Sequence, residues 1–417
     1  MPLRIVLTAW GSYGDLFPSL GLAIRLQAMG HRPVLATIGA HRAVVEQAGL
    51  EFHRLSPDVE PTDKALIARI MDVRRGPEVV IRELIVPAVQ QQYDDLVDVI
   101  RGADVVLSHP VAFAAPILAE QYGVRWRSTA LAPLSFFSTT DFPELPGMAG
   151  TARFSRVGAW AGRALKGLAR RATRAWTAPV VALRRSQGLP DTGDPLYEGQ
   201  FSPCGTLALF SRVLAQPQPD WPPHTRVTGF VFYNGPGASL PAELAEFLDR
   251  GDPPVVFTLG SSAVGAAGSF YEDSARAAVQ LGVRAVLLTG PLPENRPKTT
   301  SANICVVDGA PHDQLFPRAS AIVHHGGVGT TGQALASGHP MLIVPFSHDQ
   351  PDNGHRIREL GVGRVLYPTR YGADRVAAEL RALLAGTYAT RASEVGRIVR
   401  AEDGTSAACE EITRPRD

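Results

Sequence analysis

Two α/β domains, each a doubly wound, Rossmann-like parallel sheet, are the fold class this sequence predicts, and three observations carry the expectation. Short β-branched runs alternate with helical patterns from the first residues, the alternation starts afresh near Pro254, and a stretch crowded with proline and glycine separates the two series. The 417 residues exceed one comfortable core, and a composition 45% hydrophobic and 19% charged excludes a disordered or fibrous chain.

In the first series, residues 4–9, 32–38, 103–108 and 125–131 read as buried strands, with helices at 16–29 and 113–122 between them. Residues 158–187 follow as a helical pattern. Between 215 and 240, Pro217, Pro219, Pro222, Pro223, Gly229, Gly235, Pro236 and Gly237 mark a linker. The second series places strands at 255–259, 284–289, 304–308, 321–325, 341–346 and 363–367, and 404–413 reads as a last helix. The expected division is a domain over 1–215, a linker over 216–240, a domain over 241–400, and a C-terminal helix and tail over 401–417. Two open parallel sheets facing a cleft bind ligands outside the carboxyl ends of their strands, so the loops that follow the strands are where chemistry is sought.

Lys plus Arg number 41 against 40 for Asp plus Glu, a balance that gives no reason to expect nucleic acid as a partner. Cys204, Cys305 and Cys409 are odd in number and far apart, which suits neither a disulfide framework nor a metal site and points to a reducing cytoplasm. Met1 leads directly into an apolar strand without a signal-peptide pattern, and no run approaches the ~18 apolar residues of a membrane span.

The most informative stretch joins the apolar strand at 321–325 to a glycine loop and a helix: His324, His325, Gly326, Gly327, Val328, Gly329, Thr330, Thr331, Gly332, Gln333. Free N–H groups at a helix N-terminus favour an anion, glycines let a phosphate approach the backbone, and Thr330 and Thr331 add hydroxyl donors. The same residues satisfy G-x-G-x-x-G over 327–332, with Asp349 near the spacing of a ribose-binding acid, so a nicotinamide or flavin site competes on this local pattern with a nucleotide-sugar site and a structural turn. Paired histidines before the glycines, and a position late in the chain rather than after the first strand, favour the nucleotide-sugar site. His325 can donate to a phosphate oxygen and, if protonated, offset charge on a departing diphosphate.

The run from Val307 and Asp308 through His325 and Gly327 to Pro345, His348, Asp349, Gln350 and Asn353 closely resembles the donor-binding signature of family 1 glycosyltransferases, which include sterol, macrolide, glycopeptide and plant secondary-metabolite enzymes. The loop from Gly11 to Pro18 looks like the matching first loop of bacterial and sterol members. The resemblance implies the GT-B architecture, with the acceptor bound mainly by the first domain and a UDP- or dTDP-sugar, as substrate and not cofactor, by the second. It implies that His325, Gly327, Gly329, Thr330 and Thr331 hold the diphosphate, that Asp349 and Gln350 hold sugar hydroxyls, and that Ser261 and Ser262 form a second phosphate-side loop, although a serine-rich turn is the plain alternative for the last pair. Where plant members carry a base-stacking tryptophan this sequence has Gly309, and where they carry a ribose-binding glutamate it has Gln333, which leaves uracil and thymine both open.

Asp15 follows the first strand in a position where many relatives carry a histidine as general base. An acceptor hydroxyl must lose its proton as it attacks the anomeric carbon, a carboxylate in reach can take it, and one displacement gives inversion. The plain alternative is an Asp15 helix cap, with Pro18 in the first turn. His109, at another strand end, would orient the acceptor or relay the proton, or serve as a satisfied structural histidine. Tyr13 and Phe17, with Phe113 and Phe136, are expected to line a pocket for a small apolar acceptor, though aromatic residues at such spacing also make plain core.

No Asp-x-Asp pair or ligand-spaced cluster occurs, so no metal is expected. Residues 145–190 contain no acid while nine basic residues accumulate, with Trp160 and Trp176 among them. That segment, 153–185, reads as a solvated face or as a peripheral contact with the inner membrane face. A monomer or weak dimer is expected. Competing functions are an NAD(P)-dependent oxidoreductase, a nucleotide-sugar epimerase on the same architecture, and a non-catalytic carrier.

Overall fold

Seven parallel strands, β1 (Arg4–Thr8), β2 (Arg32–Thr37), β3 (Glu51–Arg54), β4 (Val105–Ser108), β5 (Arg125–Ala130), β6 (Thr206–Ala208) and β7 (Arg226–Val227), form one sheet in the order β3-β2-β1-β4-β5-β6-β7. Six more, β8 (Val255–Thr258), β9 (Ala285–Leu288), β10 (Ile304–Val307), β11 (Ala321–His324), β12 (Met341–Ile343) and β13 (Gly363–Val365), form a second parallel sheet in the order β10-β9-β8-β11-β12-β13. The structure is a computed structural model and describes residues 1–60, 63–235 and 239–415. Pro236 and Gly237 of the expected linker, and the end of the expected tail, lie outside the described residues.

Alternation along the strands explains why both faces of the first sheet are covered. Val6, Val34, Val106 and Trp126 enter one hydrophobic cluster, while Ile5, Leu7, Leu35, Val105 and Leu107 enter another. Successive side chains point to opposite faces, so a strand apolar at every position needs helices on both sides. In each sheet the order reverses beside its first strand, between β1 and β4 and between β8 and β11, and that switch point is where open α/β sheets leave a crevice.

The chain divides into a unit of Met1–Asp63, Arg75–Tyr233 and Asp403–Asp417 and a unit of Lys64–Arg74 and Asn234–Glu402. This departs from the division expected from sequence in three places. Most of the expected linker folds into the first unit: β7 extends its sheet, Trp221 stacks on Phe136 at 4.1 Å, and Asp220 accepts from Ser138 and Thr139. The last helix, Gly404–Thr413, returns to the first unit, where Ala408, Cys409 and Ile412 are buried against Leu16, Leu20 and Ala23. There a Cβ on Gly404 would stand 2.3 Å from the Phe230 carbonyl oxygen. The helix Lys64–Ile70 and Met71, expected in the first domain, belong to the second unit.

Three strands fall outside the sequence expectation, each for a visible reason. β3 is Glu-Phe-His-Arg at an edge, and β6 and β7 are three and two residues long, too short to show a period. The helical pattern over 158–187 is two helices, Ala159–Thr173 and Ala178–Ser186, because Pro179 cannot continue a helix but suits the first turn of a new one.

Candidate functional site

In the first unit the switch-point loops bring together the residues singled out after β1 and β4. The helix after β1 begins at Tyr13, earlier than the sequence pattern suggests, because Ser12 rather than Asp15 is its N-cap. Asp15 is the third helical residue of a capping box: its Oδ2 accepts from the Ser12 N–H at 2.8 Å, and the Ser12 hydroxyl lies 3.3 Å from the same oxygen. Gly11 makes this possible, since a Cβ there would stand 2.3 Å from Oδ2 and its φ of 130° disfavours other residues.

The other carboxylate oxygen has different company. His109 Nε2 lies 3.4 Å from Asp15 Oδ1, within ion-pair distance but outside hydrogen-bond geometry, and the nitrogen is otherwise buried without a partner. The ring is oriented from behind: its Nδ1 accepts from the Val111 N–H, and its backbone N–H donates to Thr8 Oγ1. With Nδ1 accepting, the proton sits on Nε2 and faces the carboxylate. Asp15 keeps 33% of its side chain exposed, so spare lone pairs face outward.

Tyr13 stacks on Phe17 at 5.0 Å and on His41 at 5.4 Å, and Phe17 packs edge-on against Tyr233, which makes an aromatic shelf at the start of this helix. His41 is not among the sequence candidates. It follows the end of β2 as His109 follows β4, and that placement is the signal that could have found it. Burial lowers its pKa, with Asp15 pulling the other way.

The other two aromatic candidates are buried. Phe136 is buried among Trp221, Phe201 and Phe210, so its ring is core and presents no face to an acceptor. Phe113 is also buried, in the cluster under β4, and reaches a cavity shared with His109, Ile117, Val180, Val181 and Leu189.

In the second unit the loops after β8 and β11 meet at His325. Its ring lies between two glycines: a Cβ on Gly260 would be 2.6 Å from its Cε1, and one on Gly327 2.4 Å from its Nε2. The helix Val328–Ser337 starts at Gly327 with no side-chain cap, so its first N–H groups are left for an anion. Around that end, His325 Nδ1, Thr331 Oγ1 and Asn353 Oδ1 are buried without hydrogen-bond partners. Several orphaned polar atoms at one helix end are what a polar ligand would satisfy. Gly329 and Thr330 are half-buried at the same end, and Ser261 and Ser262 stand in the short turn Gly260–Ala263 with the former exposed.

Charge at His325 differs from the expectation. Burial, then the neighbouring His312, lowers its pKa to about 3, while burial lowers His312 to about 4 and holds His324 well below its ordinary value. His325 is therefore neutral near pH 7 in the free protein and can meet a phosphate as an N–H donor. Stability should follow. Between the unfolded value of 6.5 and these lowered values the unfolded chain binds more protons, so acidification below pH 6.5 destabilises the fold by about 1.4 kcal/mol per pH unit for each such histidine. Urea midpoints measured from pH 7 to pH 5 should fall, and His312→Phe should flatten that fall; an unchanged slope would remove His312 as a contributor.

The loop after β12 carries the expected sugar-side pair. Gln350 Oε1 accepts from the Phe346 and Ser347 N–H groups, so its Nε2 is the end suited to a hydroxyl. Asp349 Oδ2 accepts from Asn353 Nδ2, which also donates to the Gly326 carbonyl. Asn353, fully buried, thus ties the glycine loop to the sugar-side loop, a role the sequence does not disclose. Gln333 Nε2 donates to Asn234.

Among the described residues no group of His, Cys, Asp or Glu could hold a metal ion, and no helix is long and apolar enough to cross a membrane. In the basic segment Arg170 pairs with Glu198, Arg184 with Glu120 and Arg185 with Asp191, while Trp160 and Leu168 are exposed.

Residues 5–134 match the family described as glycosyltransferase family 28, N-terminal domain, and residues 281–414 match the erythromycin biosynthesis protein CIII-like C-terminal domain. The chain is 33% identical to an O-mycaminosyltylonolide 6-deoxyallosyltransferase of Streptomyces fradiae over 98% of its own length and 96% of that protein. It is 28% identical to a sterol 3-beta-glucosyltransferase of Arabidopsis thaliana, covering 99% of this chain and 68% of the other. The solved glycosyltransferase VinC, in complex with DTDP, superposes with a TM-score of 0.68 at 22% identity over 98% of both chains, which shows a shared fold.

Proposed function

This chain belongs to the family 1 glycosyltransferases of GT-B fold, of the macrolide and sterol type, and from that premise we propose that it moves a hexose from a UDP- or dTDP-sugar to a hydroxyl of a small apolar acceptor, with inversion. The observation that carries the donor half is the uncapped start of Val328–Ser337 beside the unpartnered, buried Nδ1 of His325. The nucleotide diphosphate would lie on those N–H groups, with the His325 N–H, Gly327, Gly329, Thr330 and Thr331 around it and Asp349 and Gln350 on the sugar. The DTDP held by VinC, a protein of the same fold, supports this class of donor.

On the acceptor side, Asp15 would take the proton of the attacking hydroxyl. Its Oδ2 is anchored by Ser12 and its Oδ1 faces the His109 N–H, so the carboxylate is held in one orientation without using all its lone pairs. His109, with its Nε2–H turned to Asp15, would steady the carboxylate electrostatically. The shelf of Tyr13, Phe17 and His41 would cover the acceptor's apolar face and reduce water around the base. Bond balance is simple: a C–O bond forms at the anomeric carbon, the bond to diphosphate breaks, and the proton passes to Asp15.

The direct test is a thermal shift with UDP, dTDP and NAD, followed by a mass-spectrometric transfer assay on macrolide, sterol and flavonoid acceptors. A nucleoside diphosphate at about 100 times its Kd adds about 2.7 kcal/mol, or roughly 3 °C for a chain of this length. Stabilisation by NAD instead of UDP or dTDP would return the 327–332 loop to the dinucleotide reading.

A further inference from the structure

The stretch that leaves the first unit after Asp63 and rejoins it at Arg75 is built into the second unit beside both donor-side loops. Met71 is buried in that unit's core, and Ile67 and Ile70 of the helix Lys64–Ile70 pack against the same cluster. Ile67 sits over Gly265, where a Cβ would be 3.1 Å from its Cγ2, and Lys64 forms an ion pair with Glu294. The end of the stretch grips the loop after β12. The Ile70 carbonyl accepts from His348 Nε2 at 3.0 Å, and the Asp72 carbonyl accepts from Ser347 Oγ at 2.9 Å.

Those two side chains immediately precede Asp349 and Gln350. His348 holds a φ of 58°, a left-handed conformation unusual for histidine, and Ser347 is fully buried. The loop's internal bonds, Gln350 to residues 346 and 347, fix its curl, whereas the two carbonyls of the 64–74 stretch fix where that curl stands. Sugar hydroxyls are read by few contacts, and about 1 Å of misplacement can cost about 10²-fold in rate.

We propose that residues 64–74 are a strap that positions the sugar-binding loop, so that Ser347 and His348 are positioning residues for the hexose of the donor. The inference rests on the donor reading above. It assigns part of donor-sugar selection to a segment inserted from the other half of the sequence, acting through two backbone carbonyls.

The strap touches the sugar side of the donor site, so loosening it should weaken an intact nucleotide-sugar and spare the free nucleotide. In the full chain, His348→Asn keeps a residue that tolerates positive φ but is too short to reach the Ile70 carbonyl, and Ser347→Ala deletes the second bond. Calorimetric Kd values for dTDP-glucose and UDP-glucose should rise about five- to tenfold in each variant, while those for dTDP and UDP change less than twofold. Ile70→Ala, which loosens the end of the strap that carries the carbonyl, should give the same split and serves if a loop variant fails to fold. Equal loss for sugar-nucleotide and nucleotide, or no loss of either, overturns the strap. Wild-type protein that binds none of the four overturns the donor reading instead.

Discussion

Asp15→Asn should lower kcat by about 10³, the usual range for a lost general base being about 10² to 10⁴. Asparagine is chosen because it separates two roles that the structure shows on one side chain. Its carbonyl oxygen can still accept from the Ser12 N–H, so the start of the helix Tyr13–Ala28 survives, while its amide cannot take a proton. Asp15→Ala loses both and should also cost about 1 kcal/mol of stability. The measurement is initial-rate transfer at saturating donor and acceptor, with the affinity for UDP or dTDP as control. Turnover within threefold of wild type in Asp15→Asn would return Asp15 to the capping role alone.

Gly327→Ala should weaken nucleoside diphosphate binding by about 30- to 100-fold, the equivalent of one charge-assisted hydrogen bond. Gly327 has φ −58°, a value any residue adopts, so alanine brings no backbone strain. What it brings is a Cβ 2.4 Å from His325 Nε2, against a ring already bounded on its other side by Gly260. The imidazole must turn out of its slot, and the donor for a phosphate oxygen goes with it. Overpacking of this kind should also cost the free protein about 1 to 3 kcal/mol. Titration calorimetry with dTDP and UDP reads the first effect and urea melts the second. An affinity within threefold of wild type would show that the ring's placement between the glycines is not what binds the diphosphate.

Much of this architecture was legible because it is local. Six strands of the second sheet lie within the runs at 255–259 to 363–367, where β-branched residues are framed by glycine and proline. The glycine loop, its histidines and the uncapped helix are likewise neighbours in sequence, and the loops and helix starts flanking each switch point contain Asp15, His109, Ser261 and His325. Even the correction at the first helix was written locally, since Ser12 and Asp15 have the spacing of a capping box.

The class of fold, the strand-end loops and the family resemblance were thus all readable from short windows, whose periodicity and turn chemistry do not depend on distant partners. Which unit each segment joins was settled by packing in three dimensions. Met71 is buried in the second unit and Cys409 in the first because the apolar surfaces they fit were completed there by residues hundreds of positions away, as with Arg125 donating to the Ile412 carbonyl. That packing also decided that His109 stands beside the other oxygen of Asp15, that Phe136 is core, and that His325 is neutral in the free protein. Each of those follows from burial and from contacts across the chain, which no local pattern encodes.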